Sequence, residues 1–314
     1  MRVVEVTAYG GPEVLRMVRR PEPEPGEIPG RVRVRLKAAS VNQEDLKIRS
    51  GARAAVLGNL APPFVLGSDF AGTLLDPVPG LPTGTRVAGF VPWTETGGQG
   101  TYAETVLVEP EWLAPIPDDV DFTAAASLPL SSLTARQAID QLGLPSGSTV
   151  LVTGASGVVG RFAVQHAVAD GHRVVALGLP GDEYELGVLG AERVLPVPRG
   201  APADMITSVL APVPDQVDGV FDAALIGGPL LPTVKDDGVF VSASHERMPV
   251  TERGISVSAV RGRPDRARLK EMLEQVAARK LMTRVADVMP LEEAAEAHRR
   301  VEAGHRPGRL VLLI

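Results

Sequence analysis

Residues 149–177 read Thr149-Val-Leu-Val-Thr-Gly-Ala-Ser-Gly-Val-Val-Gly-Arg-Phe-Ala-Val-Gln-His-Ala-Val-Ala-Asp-Gly-His-Arg-Val-Val-Ala-Leu177. A β-branched run meets a glycine-rich turn, and Val159, Phe162, Ala163, His166 and Ala167 then recur at the spacing of a buried helical stripe. Gly171 stands where a left-handed residue ends a helix, and a second β-branched run follows. The segment predicts strand, turn, helix and strand, one half of a dinucleotide-binding βαβ unit. In this reading Gly154 permits the tight turn, Gly157 lets the backbone approach a pyrophosphate, and Gly160 lets the helix pack close to the strand. The helix N-terminus adds donors and partial positive charge for the anion.

The spacing is Gly-x-x-Gly-x-x-Gly rather than the commoner Gly-x-Gly-x-x-Gly, so rival uses of such a turn need weighing. A short-chain dehydrogenase needs a third glycine where Val158 stands and a Tyr-x-x-x-Lys pair, and none of Tyr9, Tyr102 or Tyr184 has lysine four residues on. An α/β-hydrolase elbow needs Gly-x-Ser-x-Gly, which Gly154-Ala-Ser-Gly-Val158 breaks by one residue.

Outward from the turn, the two sides differ in texture. Before about residue 120 the chain is a series of short strand candidates punctuated by Gly and Pro: 3–9, the strictly alternating Arg31-Val-Arg-Val-Arg-Leu-Lys37, then 64–66, 72–75, 86–90 and 101–108. That pattern predicts an antiparallel β-rich domain. From Phe122 the chain turns alanine-rich and helical, and strand candidates at 193–195, 219–225, 238–242 and 256–260 are separated by helix-sized gaps. Strands alternating with helices predict a doubly wound parallel sheet. An amphipathic helix over 265–281, with Leu269, Met272, Leu273 and Val276 on one side, and a last strand over 309–314 are expected to return to the first domain.

The chain has 314 residues, 44% of them hydrophobic, enough for two cores. A net charge of −6 argues against a nucleic-acid surface as the main business. There is no cysteine, hence no disulfide, thiol nucleophile or thiolate-bound zinc. The N-terminal residues lack an apolar signal core and no run approaches a membrane span, so a cytoplasmic protein is the expectation.

Several stretches together resemble the zinc-free quinone oxidoreductase, or zeta-crystallin-like, branch of the medium-chain dehydrogenase/reductase superfamily. Ala39-Ser-Val-Asn-Gln-Glu-Asp-Leu-Lys-Ile-Arg-Ser-Gly51 is similar to that branch's Val-Asn-Pro-x-Asp-x-x-x-Arg-x-Gly segment. Gly67-Ser-Asp-Phe-Ala-Gly72, Gly100-Thr-Tyr-Ala-Glu104, Leu128-Pro-Leu-Ser-Ser-Leu-Thr-Ala135, the glycine turn, Leu189-Gly-Ala191, Pro290 to His298 and Pro307 to Leu312 follow in the family's order. The resemblance implies an α/β protein: a GroES-like antiparallel β domain from residues 1–121 and 262–314, with an inserted Rossmann domain, doubly wound on a parallel sheet, over 122–261. It also implies a nicotinamide cofactor in the cleft between them, a small-molecule substrate and often a homodimer. The superfamily's zinc enzymes draw Cys and His from the first domain, but here His166, His172, His245, His298 and His305 all lie late in the chain, and Gly67-Ser68-Asp69 replaces their Gly-His-Glu.

Without a metal to polarise an alcohol, the chemistry suggested is hydride transfer from a reduced nicotinamide to a quinone or to the β-carbon of an α,β-unsaturated carbonyl. The resemblance places Asn42, Asp45, Lys47 and Arg49 on the segment facing nicotinamide and substrate, where Asn42 or Lys47 can hydrogen-bond an oxygen on which charge develops. Asn42 also reads as a helix N-cap with Asp45 at its third position, and Lys47 as a solvated charge. Lys47 also stands where many quinone reductases of the branch carry Tyr, as in some enone-reducing relatives. For the cofactor, the resemblance carries Thr134, Gly154, Ala155, Ser156, Gly157, Val158, Val159, Leu177, Gly178, Leu225, Ile226, Gly227, Ser242, Ala243, Ser244 and Arg309 into contact roles. Thr134 reads equally as an ordinary helix residue, and an arginine before a terminal strand is usually exposed. The second strand ends Ala176-Leu177-Gly178 with no acid to hold ribose hydroxyls, which favours NADPH over NADH, although no Arg or Lys between 174 and 190 grips a 2′-phosphate. The alternatives are a selective enoyl reductase that tailors one secondary metabolite, or a non-catalytic cofactor- or RNA-binding protein of the crystallin kind.

Overall fold

The alternation that starts at Arg31 becomes part of one ten-residue strand, Val32–Val41, around which the first sheet is built. Its first half keeps one wet face, at Arg35 and Lys37, while Ala38–Val41 are buried on both faces. The computed structural model describes the chain except residues 56, 59, 212–215 and 305–306, so His305 lies outside the described residues. The chain divides into two units, Met1–Leu130 with Arg263–Ile314, and Ser131–Gly262. The first boundary falls at Ser131 rather than Phe122 because the helix over Phe122–Ala126 packs on strands of the first unit.

In chain order the elements are β1 (Arg2–Val6), β2 (Leu15–Arg19), β3 (Val32–Val41), α1 (Gln43–Ser50), β4 (Phe64–Val65), β5 (Asp69–Leu74), β6 (Arg86–Phe90), β7 (Thr105–Val108), β8 (Leu113–Pro115), α2 (Phe122–Ala126) and α3 (Pro129–Leu142). The second unit then supplies β9 (Thr149–Thr153), α4 (Val158–Ala169), β10 (Arg173–Gly178), α5 (Glu183–Val188), β11 (Arg193–Pro196), α6 (Ala203–Leu210), β12 (Val217–Asp222), β13 (Val234–Ser242) and β14 (Ser256–Ala259). The chain returns to the first unit with α7 (Arg266–Ala277), β15 (Val285–Pro290), α8 (Ala294–Glu302) and β16 (Arg309–Leu313).

In the first unit β1 pairs with β2 and β4 in a small antiparallel sheet, and a larger sheet runs β15-β16-β3-β5-β6-β8 with β7 on the free half of β3. The last strand lies antiparallel to β3, Leu310 opposite Val41 and Leu313 opposite Ala38, which covers the doubly buried half of β3. Its cores gather Val3, Val6, Val41, Ile48, Leu66 and Leu312 on one side and Val34, Leu36, Phe70, Val87 and Leu113 on the other. The second unit is one parallel sheet, β11-β10-β9-β12-β13-β14, with a core of Leu151, Leu177, Val220, Phe240 and Ile255. Its strands β9 and β10 are buried on both faces and read as nearly continuous apolar runs, as a sheet covered on both sides requires.

The strand candidate at 219–225 stops at Asp222; beyond it the Ala224 N–H bonds to a side chain, Thr153 Oγ1, and Leu225 takes a left-handed φ of 59°. The helix at 265–281 narrows to Arg266–Ala277, with Asp265 as its cap accepting from the Arg268 N–H at 3.0 Å. Leu269, Met272 and Leu273 form its buried stripe, and Val276 is half-buried.

Candidate functional site

In the second unit the three glycines of the turn have three different physical reasons. Gly154 leaves β9 at φ 59°, a conformation that favours glycine. A Cβ on Gly160 would lie 2.2 Å from the Gly154 carbonyl oxygen, so helix and turn close only on a glycine. Gly157 differs from both. It is exposed, its φ of −78° and ψ of 166° suit any residue, and the nearest atom to a Cβ there is the Gly154 oxygen at 3.2 Å. At 157 the backbone conformation makes no demand for glycine, and an added Cβ would press closely only on that one oxygen.

The amides around the turn divide in the same way. Ala155 N–H donates to the Leu177 carbonyl at 3.0 Å and Gly157 N–H to Gly154 at 2.8 Å, so both hold the turn in shape. Ser156 Oγ accepts from Leu179 N–H at 2.7 Å and ties the turn to the end of β10. The first ladder bond of α4 is Arg161 N–H to Gly157 O at 2.9 Å, so the N–H groups of Val158, Val159 and Gly160 precede the ladder at the helix's positive end.

The sheet reverses its winding between β9 and β12, the place where doubly wound folds bind ligands beyond the carboxyl ends of the strands. Thr153 Oγ1 donates to Asp222 Oδ1 at 2.6 Å and accepts from Ala224 N–H at 3.0 Å, stitching those two strand ends together. Asp222 also accepts from Ile226 N–H at 3.1 Å and Gly227 N–H at 2.8 Å, and so holds the loop that carries the strained Leu225. At the end of β13, Ser242 Oγ donates to Ser244 O at 2.7 Å, while Ala243 N–H donates to Asp222 O at 3.1 Å. Leu177 and Gly178 are buried at the end of β10, and Thr134 is half-buried on α3. Asp222 escapes a reading of the sequence because its partners lie up to 69 positions away and only folding brings them to it.

The first unit holds a cluster of a different kind. Asn42 caps α1 and its N–H donates to Asp45 Oδ2 at 2.7 Å, so the capping role read from the sequence is realised. The Asn42 side chain meanwhile donates through Nδ2 to Asp69 Oδ2 at 2.9 Å. Asp69, which the sequence reading treats only as a replacement for a zinc-enzyme glutamate, also accepts from Ser40 Oγ at 2.8 Å and from Leu130 N–H at 2.6 Å. Asp45 takes a further N–H from Gly67 at 3.2 Å. Lys47 is half-buried on the same helix.

All of these carboxylates are buried. Burial pushes the Asp45 carboxyl up to about 7 against the pull of the Asn42 N–H, and burial raises Asp69 against the pull of Arg309. Arg309 is 6% exposed rather than at the surface. Its Nη1 donates to the Val41 carbonyl at 3.0 Å and its charge favours ionisation of both aspartates, while burial lowers its own pKa.

Behind Asp45 runs a line of donors. Arg49 Nη1 lies 3.1 Å from His298 Nδ1, and His298 Nε2 lies 3.1 Å from the Tyr102 hydroxyl. A guanidinium can only donate, so Nδ1 is the acceptor and the proton of the neutral imidazole sits on Nε2, facing Tyr102. Tyr102 then turns its O–H toward Asp45 Oδ2 at 3.4 Å. Burial, with Arg49 beside it, lowers His298 to about 3, and burial next to Asp45 raises the Tyr102 phenol well above its usual value. Arg49 also donates to the Gly10 carbonyl at 3.1 Å and pairs with Glu302.

These groups do not fit a zinc site. Zinc of the superfamily's kind wants thiolate and imidazole donors, the chain has no cysteine, and His298 has a guanidinium at one ring nitrogen and a tyrosine at the other. Among the described residues no helix is long and apolar enough to cross a membrane.

Two family models match the chain: an alcohol dehydrogenase GroES-like domain over residues 28–118 and a zinc-binding dehydrogenase over 189–312. A trans-enoyl reductase of Aspergillus flavipes, tndF, is 32% identical over 72% of this chain and 67% of its own length. A 2-methylene-furan-3-one reductase of Solanum lycopersicum is 30% identical over 77% of this chain, which spans only 61% of that relative. The structure of the quinone oxidoreductase from Coxiella burnetii superposes with a TM-score of 0.87 at 27% identity, covering 100% of this chain and 99% of that one. With both domain models in order and a fold shared from end to end, the chain belongs to the medium-chain dehydrogenase/reductase superfamily of pyridine-nucleotide oxidoreductases, alongside its quinone oxidoreductases and enoyl reductases.

Proposed function

We propose that this oxidoreductase is an NADPH-dependent, zinc-independent reductase of quinones or α,β-unsaturated carbonyls. The observation that carries the cofactor half is Gly157, an exposed position of ordinary backbone geometry left without a side chain beside the N-terminal amides of α4. Val158, Val159 and Gly160 would offer their N–H groups to the pyrophosphate, and the loop after β12 at Leu225–Gly227 and the end of β13 at Ser242–Ser244 would border the cofactor. A bound nicotinamide supplies the hydride; the chain's own residues bind, orient and exclude water. NADPH is favoured because β10 ends in Leu177 and Gly178, without a carboxylate to hold free ribose hydroxyls. Arg161, paired with Glu185 at 3.0 Å between two helices that pack on β10, is a cation near that strand which lies outside its sequence.

On the substrate side, Asn42 is the candidate donor to an oxygen gaining negative charge, since a second Nδ2 hydrogen remains after Asp69 has taken one. Asp45 accepts the Asn42 N–H at 2.7 Å and the Gly67 N–H at 3.2 Å, so its part is to hold Asn42 in place. The enone reading draws added support from the relatives named for enoyl and methylene-furanone reduction.

The test is oxidation of NADPH and of NADH, followed by absorbance, against 1,4-benzoquinone, 9,10-phenanthrenequinone, a short enone and an enoyl thioester. NADPH turnover with a quinone or the enone is expected. Turnover of the thioester alone would assign the selective enoyl reductase, and preference for NADH would overturn the cofactor assignment.

A further inference from the structure

We infer that Asp69 is a positioning residue that fixes the direction of the Asn42 carboxamide for the reaction proposed above, on which this inference rests. An asparagine side chain is nearly symmetric in shape but not in chemistry: flipping it exchanges two donors for an acceptor. In this cluster the flip is decided. Asp69 accepts at both oxygens, from Ser40 Oγ, from Leu130 N–H and, through Oδ2 at 2.9 Å, from Asn42 Nδ2, so the carboxyl faces the donor end of the amide and not Oδ1. The same oxygen takes the Ser40 hydroxyl at 2.8 Å and the other oxygen takes Leu130 N–H at 2.6 Å, so Asp69 is itself held from two sides and cannot swing to follow the amide. Asn42 is pinned from the other end too, through its backbone N–H on Asp45 at 2.7 Å. The side chain is thus clamped with Nδ2–H as its remaining donor, the polarity that a developing oxyanion requires and that the flipped amide would oppose.

Asp69→Asn keeps the shape and removes the decision, because an asparagine there offers Asn42 a donor as readily as an acceptor. With NADPH and whichever acceptor the wild type turns over best, kcat is expected to fall at least tenfold in Asp69→Asn and in Asn42→Ala. The double variant should lose no more than the worse single one, and NADPH affinity should stay within twofold throughout. Ser40→Ala, which removes one of the donors that hold Asp69 and leaves its carboxyl in place, should lower kcat three- to fivefold and leave the acceptor KM unchanged, and it serves if Asp69→Asn does not fold. Independently of turnover, the side-chain amide of Asn42 should give two widely separated proton resonances in 15N-correlated spectra of the wild type that draw together in Asp69→Asn.

Wild-type kcat in a folded Asp69→Asn or in Ser40→Ala, or an unchanged Asn42 amide signal in Asp69→Asn, overturns the inference while leaving the reductase standing. Wild-type kcat in Asn42→Ala, or no turnover of any acceptor by the native protein, overturns the reading of Asn42 and the inference with it.

Discussion

The glycine turn of the second unit and the polar cluster of the first both sit at strand ends, and they are made in opposite ways. At the turn the chain is shaped by missing side chains: one glycine for its φ, one for close approach of its own backbone, and one, Gly157, for which the protein has little internal use. In the cluster everything depends on side chains that are present and matched, with two buried aspartates each accepting several donors. Adding a side chain at Gly157 should therefore leave the fold alone and abolish binding, whereas altering the cluster should register in stability and pH dependence.

The largest expected effect tests the turn. Gly157→Val should weaken NADPH binding at least a hundredfold, roughly 2.7 kcal/mol or more, with a melting temperature close to that of the wild type; fluorescence titration and a thermal melt read both. Normal binding would move the cofactor away from this turn. Gly160→Ala should do the reverse, losing about 1–3 kcal/mol or more of stability because the added methyl meets the Gly154 oxygen, and chemical denaturation measures it. If the two variants behave alike, the separation of roles among the glycines fails.

The first unit gives smaller and slower-varying effects. Arg49→Ala strips the donors from His298 Nδ1 and the Gly10 carbonyl, and about 1–3 kcal/mol is expected for buried acceptors left unsatisfied; Glu302, being partly exposed, adds little. Asp45→Asn addresses the pH dependence. The folded carboxyl titrates at about 7 and its ordinary value is 3.8, so its contribution to stability is present below about 4 and is lost as pH rises through 7. Melting temperatures of wild type and variant, compared from pH 4 to 8, should shift in the variant's favour as pH rises to about 7 and then run parallel. A constant difference across that range would mean that Asp45 is not held protonated by its burial.

The same contrast explains how much could be read from the sequence. The turn, its helix, the parallel sheet and the return of the last strand are legible because local spacing encodes them: β-branched runs, a stripe at Val159 to Ala167, a glycine at 171 with φ 81°. Asn42 is legible as a cap because its partner Asp45 lies three residues away. Asp69 is 27 positions from Asn42, Tyr102 is 57 from Asp45, and His298 is 249 from Arg49, so no window of sequence contains these pairs. For the same reason Arg309, carried by the resemblance into a cofactor contact or else read as exposed, proves to be buried, with its charge acting on two buried acids.

The pairing of β16 with β3 also has a consequence for the order in which the molecule can be made. Val41 and Arg309, joined in the finished protein by the guanidinium on the Val41 carbonyl, are 268 positions apart, and the whole second unit is synthesised between them. At about 5–20 residues per second a ribosome leaves the apolar stretch Ala38–Val41 without its last neighbour for tens of seconds, during which the parallel sheet, all of whose strands lie within 149–259, can close on its own. The unit that emerges first is completed last, and the edge it holds open meanwhile is the place where a nascent chain of this protein would call on a chaperone.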